Sequence, residues 1–363
     1  MSARRVAALL AAGILVIGFA VWLSSLRHLD RDLAAGDRVL PGLAAAVNTV
    51  TGVTLHKGDG TQATLRHEGG PWTVAERGWP ADLNKVRKLL LDLGALSIVE
   101  EKTRLPANYP ALGVEDVSSP QARGTLVTAT APARSWALIV GKPVGPRSGY
   151  VRVANAHQSL LASPAPGVDA DPRNWLDHAL LDVPAARMRE IEEKPAQGPA
   201  WTAAREKKEQ GDFTVGPLPK GRTLATAGAA QPVAQALEGL TLDDVRRAAA
   251  DTGAPDRALF RTFDGLEIEL AGRKDGAHAW VAIAVRGAAG DAGAEAQRLS
   301  DRLKGWEFEL PDYKYAAIFM PIEQLLAKPP ESAPKEGPSK APARAPRAGA
   351  PAFSPAALPA ISK

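Results

Sequence analysis

From Val6 to Leu26 the chain carries no charged side chain, a run of 21 residues dominated by Ala, Leu, Ile, Val and Gly. As a helix rising about 1.5 Å per residue it reaches roughly 31 Å, the thickness of one hydrocarbon core. Arg4 and Arg5 precede it, and Trp22 stands near its far end, where an indole suits the membrane interface. The positive-inside rule puts the N-terminus in the cytoplasm and everything after Leu26 outside it. Gly18-Phe19-Ala20 has the outline of a secretory cleavage site, but Val21-Trp22-Leu23 prolongs the apolar run beyond it. The run also exceeds the usual signal core of about 7–15 residues. The expectation is an uncleaved, single-pass anchor in the inner (plasma) membrane, with an extracytoplasmic, periplasmic body. With a second such run missing, the chain is no channel or carrier by itself.

Charge follows the same division. The formal net charge is +4, and the segment from Lys328 to Lys363 holds six basic residues against Glu331 and Glu336. The body from Asp30 to Ala327 is left slightly acidic, so the basic pI gives no reason to expect nucleic acid. The last 36 residues contain nine prolines and ten alanines. They cannot bury enough apolar surface to offset ordering, and the expectation is a disordered, partly extended tail that folding does not need. Cysteine is absent, which excludes disulfides, thiolate metal sites and a cysteine nucleophile.

Between anchor and tail the patterns predict an α+β body of mostly antiparallel sheets with helices packed on them. Val53–His56 and Gln62–Arg66 read as a hairpin across Gly58-Asp59-Gly60, followed by Trp72-Thr73-Val74 as a short strand. Asp82 is a helix cap, and Leu83, Val86, Leu89, Leu90, Leu93 and Leu96 mark one apolar helix face. Short strands follow at Gly124–Thr130, Ser135–Val140, Tyr150–Ala154 and Gln158–Leu161, and Asp171 starts a short helix running to Leu180. A second hairpin–helix–strand unit begins near Met188. In it Ala200-Trp201-Thr202-Ala203 echoes Trp72-Thr73-Val74, and a helix runs from Pro232 through Leu240. A third begins at Leu259, with Leu266, Ile268 and Leu270 alternating against Glu267 and Glu269 and a helix over Ala292–Leu303. The expected organisation is anchor 1–28, juxtamembrane linker 29–50, first α+β region 51–187, second region 188–327 and tail 328–363.

Chemistry-bearing motifs are few. Gly216 to Thr223 outlines a phosphate loop, but Arg222 stands where its lysine should be, and Pro217 and Pro219 remove backbone donors. A hairpin loop is the better reading. The six histidines, His28, His56, His67, His157, His178 and His278, show no metal-ligand spacing. His56 and His67 could face each other across the hairpin. Asp169 and Asp171 lack the rest of a calcium loop and read as a cap. Glu267 and Glu269 share a strand face that the alternation makes the wet one, so a solvated pair outweighs acid–base work. Trp72, Trp201, Trp280 and Trp306 recur in the units and suit core packing. No catalytic, cofactor-binding or metal residue is assigned.

Several segments taken together resemble the domain-of-unknown-function family 4340. They are Leu65 through Trp72-Thr73-Val74, Asp82–Leu96, Tyr109-Pro110-Ala111-Leu112-Gly113-Val114, Tyr150-Val151-Arg152-Val153 and Trp175–Leu180. Phe263-Asp264-Gly265-Leu266 and Trp306-Glu307-Phe308-Glu309-Leu310-Pro311-Asp312-Tyr313 complete the set. Such proteins usually carry one N-terminal membrane helix, and many are encoded beside bacterial ABC-transporter components of the gliding-motility type. The resemblance implies a non-enzymatic accessory or scaffold subunit of an ABC-type transport assembly, with protein partners and no cofactor. The alternatives are a module that binds cell-wall polymer and, less favoured, an envelope hydrolase. The family carries no established catalytic residue to transfer.

Overall fold

A computed structural model describes residues 35–249 and 254–328. The expected anchor Val6–Leu26 and the tail beyond Lys328 lie outside them. Among the described residues no helix is long and apolar enough to cross a membrane.

Alternation builds the first hairpin. In β1 (Gly52–Lys57) and β2 (Gln62–Arg66), Val53, Leu55, Ala63 and Leu65 are buried while their neighbours keep contact with water. Val53 lies opposite Leu65 and Leu55 opposite Ala63, so a single register buries all four. The same logic extends over a nine-stranded antiparallel sheet that adds β3 (Thr73–Val74), β4 (Trp79–Pro80), β5 (Ser97–Glu101), β6 (Thr125–Ala131), β7 (Arg134–Val144), β8 (Ser148–Val153) and β9 (Ser159–Ser163). Its spatial order is β4-β3-β2-β1-β6-β7-β8-β9-β5. A small two-stranded piece pairs β10 (Ala179–Leu181), which precedes the second sheet in the chain, with β14 (Leu240–Thr241), which falls between two of that sheet's strands in sequence. The second sheet contains β11 (Met188–Lys194), β12 (Trp201–Ala204), β13 (Thr214–Gly216), β15 (Asp244–Arg247), β16 (Asp256–Thr262), β17 (Leu266–Asp275), β18 (His278–Gly287) and β19 (Trp306–Glu309). Its order is β13-β12-β11-β16-β17-β18-β19-β15.

The two orders are one topology used twice. Apart from β4, which extends the edge of the first sheet, each sheet runs third strand, second, first, then four successive strands, with an earlier strand (β5 or β15) returning to close the far edge. Residue registers agree. Val53 faces Leu65, which faces Val74; Ile191 faces Ala203, which faces Val215. The N–H of His67 donates to the Thr51 carbonyl at 2.8 Å, and the N–H of Arg205 to that of Arg189 at 2.9 Å. The structure therefore has two units where the patterns predict three. The alternating residues after Leu259 form the central strands of the second sheet. The counterpart of Trp72-Thr73-Val74 is Phe213-Thr214-Val215, and Trp201 corresponds to a position in β2.

Three helices of two turns or so and longer pack on the sheets: α1 (Leu83–Ala95), α2 (Asp291–Leu303) and α3 (Asp312–Ile318). Two expected helices differ. The one from Pro232 is a single turn, Gln231–Ala234, followed by further turns that lead into β14. The one from Asp171 is a 3-10 turn, Pro172–Trp175, after which the chain becomes extended as β10. The β3–β4 tip ties the units together. Trp79, 1% exposed, meets Trp306 and Phe308 edge-on at 5.5 and 5.2 Å, and Arg77 forks onto Asp244 at 2.6 and 2.9 Å. Arg152, 3% exposed, holds the Tyr109–Val114 segment over the first sheet. It donates to the carbonyls of Val114 and Ala156 at 2.9 Å and lies 4.6 Å from the Tyr109 ring.

Candidate functional site

An open concavity is assembled at the start of the first unit. Asp82 caps α1, accepting the N–H groups of Asn84 and Lys85 at 2.9 and 3.2 Å. The helix then buries Val86, Leu89, Leu90 and Leu93. A turn at Leu43–Ala46 and a 3-10 turn at Val47–Thr49 run against it. Gly94 permits that approach, since a Cβ there would stand 3.1 Å from the Ala44 Cα. Leu83, expected on the buried face, is 43% exposed, and Leu91 is 61% exposed.

The opposite wall is the connection between β2 and β3, where the His67 ring stacks on Trp72 at 5.4 Å and 15°. Between the walls lies an open groove of about 550 Å³. Val47, Asn48 and Val50 line one side, and Leu83, Val86, Leu90 and Leu91 of α1 another. The exposed Arg87 stands on the helix side. His67 Nδ1 is shielded from solvent and has no hydrogen-bond partner. With one histidine and one arginine as its titratable groups, the groove offers apolar surface, aromatic faces and backbone carbonyls. Those are means of binding, not a general acid–base pair.

The chain enters the body at the strand that follows the groove's helix. The N–H of Gly36 donates to the Ile98 carbonyl at 2.8 Å, and the N–H of Ile98 to that of Asp37 at 2.9 Å, fixing the entry beside β5, directly after α1. Gly36 lies ten positions after Leu26, a span of at most about 35 Å.

The residues singled out from sequence are dispersed. Glu267 and Glu269 pair with Arg261 and Arg257 at 3.2 and 3.0 Å on the outer face of the second sheet. His56 lies opposite Gln62, whereas His67 lies beyond the other end of that hairpin, so the two do not face each other. Asp171 caps its turn through the Arg173 N–H at 2.9 Å, and Asp169 accepts from Asp171 and Asn174. Gly216 ends the edge strand β13, and the residues after it form a connecting loop to the bridge between Leu224 and Leu326. His278 sits on Glu309 at 2.5 Å, which raises its pKa. Trp201, Trp280 and Trp306 are buried, while Trp72 is half-buried in the groove wall. Among the described residues no three His, Asp or Glu side chains gather as a metal site.

Two acids are buried among the described residues: Glu307 is paired with Arg246 and Arg273, whereas Glu193 forms no ion pair. Glu193 in β11 is 2% exposed, and its Oε1 has no hydrogen-bond partner. Burial first, and then the nearby Asp256, push its pKa up to about 10. Asp256 accepts the Tyr315 hydroxyl at 2.9 Å and the Ala196 N–H at 2.8 Å. The parity of β11 carried the signal, because Ile191 and Glu193 share a face.

An α+β body of two like antiparallel sheets with an open groove defines the class. The chain belongs to the family of the domain of unknown function DUF4340, whose profile matches residues 72–258. The match begins at Trp72 in the groove wall and ends in β16, so it spans parts of both sheets. No curated protein and no solved structure matches the chain.

Proposed function

We propose that this chain is a membrane-anchored, non-enzymatic accessory or scaffold subunit of an ABC-type transport assembly, with its body outside the cytoplasm. The observation that carries the reading is the groove between α1 and the His67–Trp72 stack. It presents Leu83 and Leu91 to solvent on the helix that leads into β5, the strand beside which the chain enters the body. Exposed large apolar residues at a concave surface mark a contact for another macromolecule. The 35 Å limit on the connecting stretch keeps that contact within reach of a membrane-embedded partner.

The test is a photo-crosslinking residue at Leu91 in the full-length chain in cells, beside a topology reporter fused after Ala327. The expected result is an adduct with the membrane-embedded permease component of a transporter, and a reporter active only outside the cytoplasm. An adduct with glycan alone would favour the cell-wall-polymer module instead. A reporter active in the cytoplasm would overturn the localisation and the scaffold reading with it.

A further inference from the structure

The second unit shows what the groove of the first is built to hold. Through the shared register, Val47, Asn48, Val50, His67 and Trp72 correspond to Ala185, Ala186, Met188, Arg205 and Phe213. The 3-10 turns match as well: Val50 donates to the Val47 carbonyl and Met188 to that of Ala185. In the second unit this place is filled. Arg205, 7% exposed, donates through Nη2 to the carbonyls of Ala185 and Ala186 at 2.7 and 3.0 Å. Its Nε donates to that of Met188 at 2.8 Å and its Nη1 to that of Gln210 at 2.9 Å. Its guanidinium carbon lies 4.8 Å from the Phe213 ring centre. Every acceptor is a backbone carbonyl, so the cavity is selective for a forked cation and needs no acidic side chain.

In the first unit the arginine is replaced by His67. The imidazole lies flat on Trp72 and its Nδ1 has no hydrogen-bond partner, while the counterparts of Arg205's acceptor residues, Val47, Asn48 and Val50, line the open groove. Among the described residues no donor reaches the Asn48 or Val50 carbonyl. We infer that this groove is a guanidinium site left vacant by its own chain and filled by an arginine side chain of a partner protein. The arginine donates to the carbonyls of Val47, Asn48 and Val50, and it lies against the indole of Trp72. Apolar residues beside that arginine cover Leu83 and Leu91. The partner's place in a transport assembly rests on the function proposed above, whereas the ligand chemistry does not.

The test uses the full-length chain in detergent micelles with 5-fluorotryptophan at its eight tryptophans, the Trp72 resonance being identified by Trp72→Phe. Titration with N-acetyl-arginine N-methylamide is expected to displace that resonance saturably. The norleucine analogue should bind about tenfold more weakly or not at all. His67→Arg should displace the same resonance without ligand and abolish the response. Equal responses to both amides would make the groove merely apolar and overturn the assignment. So would a full arginine response in a folded His67→Arg chain. If Arg87→Ala alone moves the resonance as far as saturating ligand does, the occupant is Arg87 of the same chain and the partner assignment falls. The comparison of the two amides on the native chain stands without a variant that must fold. Its failure beside an intact Leu91 crosslink would remove the arginine site and leave the scaffold reading in place.

Discussion

Leu93→Asp is expected to abolish folding of the body, with loss of the cooperative melt and of the near-ultraviolet circular dichroism of the full-length chain. Leu93 is 1% exposed on the inner face of α1, in the same core cluster as Leu43, Val53 and Leu65. An unpaired carboxylate there loses its water and gains no partner, a cost above about 4 kcal/mol. That is a large fraction of the roughly 5–15 kcal/mol by which domains are stable. Leu91→Asp, two residues earlier on the exposed side, should change stability by no more than about 0.5 kcal/mol. A Leu93→Asp chain that melts like the native one would refute the assigned face of α1.

Glu193→Gln is expected to stabilise the protein, increasingly as pH rises. The folded state holds the Glu193 proton up to a pKa of about 10, far above the ordinary 4.5. Its contribution is complete below pH 4.5 and is lost as pH climbs toward 10, because the folded state binds the proton that the unfolded state has released. At pH 7 the lost stability amounts to about 3 kcal/mol. Glutamine carries no such proton, and its amide can donate toward Asp256. Native and variant chains should melt together near pH 4 and diverge toward pH 8, with the variant higher. Parallel pH profiles, or a less stable variant at pH 7, would show that Glu193 is ionised in the folded protein.

What the sequence made legible was local. The Asp82 cap and the spacing of Val86, Leu89, Leu90 and Leu93 define α1 because both signals lie within one helix. Alternation in β1, β2 and β17 likewise needs only neighbouring residues. Sheet order was not legible, since the β5–β9 and β15–β19 pairings join strands far apart in the chain, and alternation does not name a strand's partner. This is why the strands after Leu259 read as a third unit. The duplication was hidden for a related reason. Equivalent positions keep their backbone roles while exchanging side chains, as with Leu65 and Ala203 or His67 and Arg205. Tryptophans attract the eye, yet Trp201 is no counterpart of Trp72. The groove was invisible because it arises from an exchange at one such position, seen only when both sheets are laid on the same register.

The central claim is that a partner enters the first unit's groove in the space that Arg205 occupies in the second. Its most direct measurement is crosslinking from Leu91 in cells, comparing the native chain with His67→Arg at matched expression and matched thermal midpoint. Filling the groove from within should remove the adduct with the transport component while leaving the chain folded and outside the cytoplasm. An undiminished adduct in the His67→Arg chain would contradict the account.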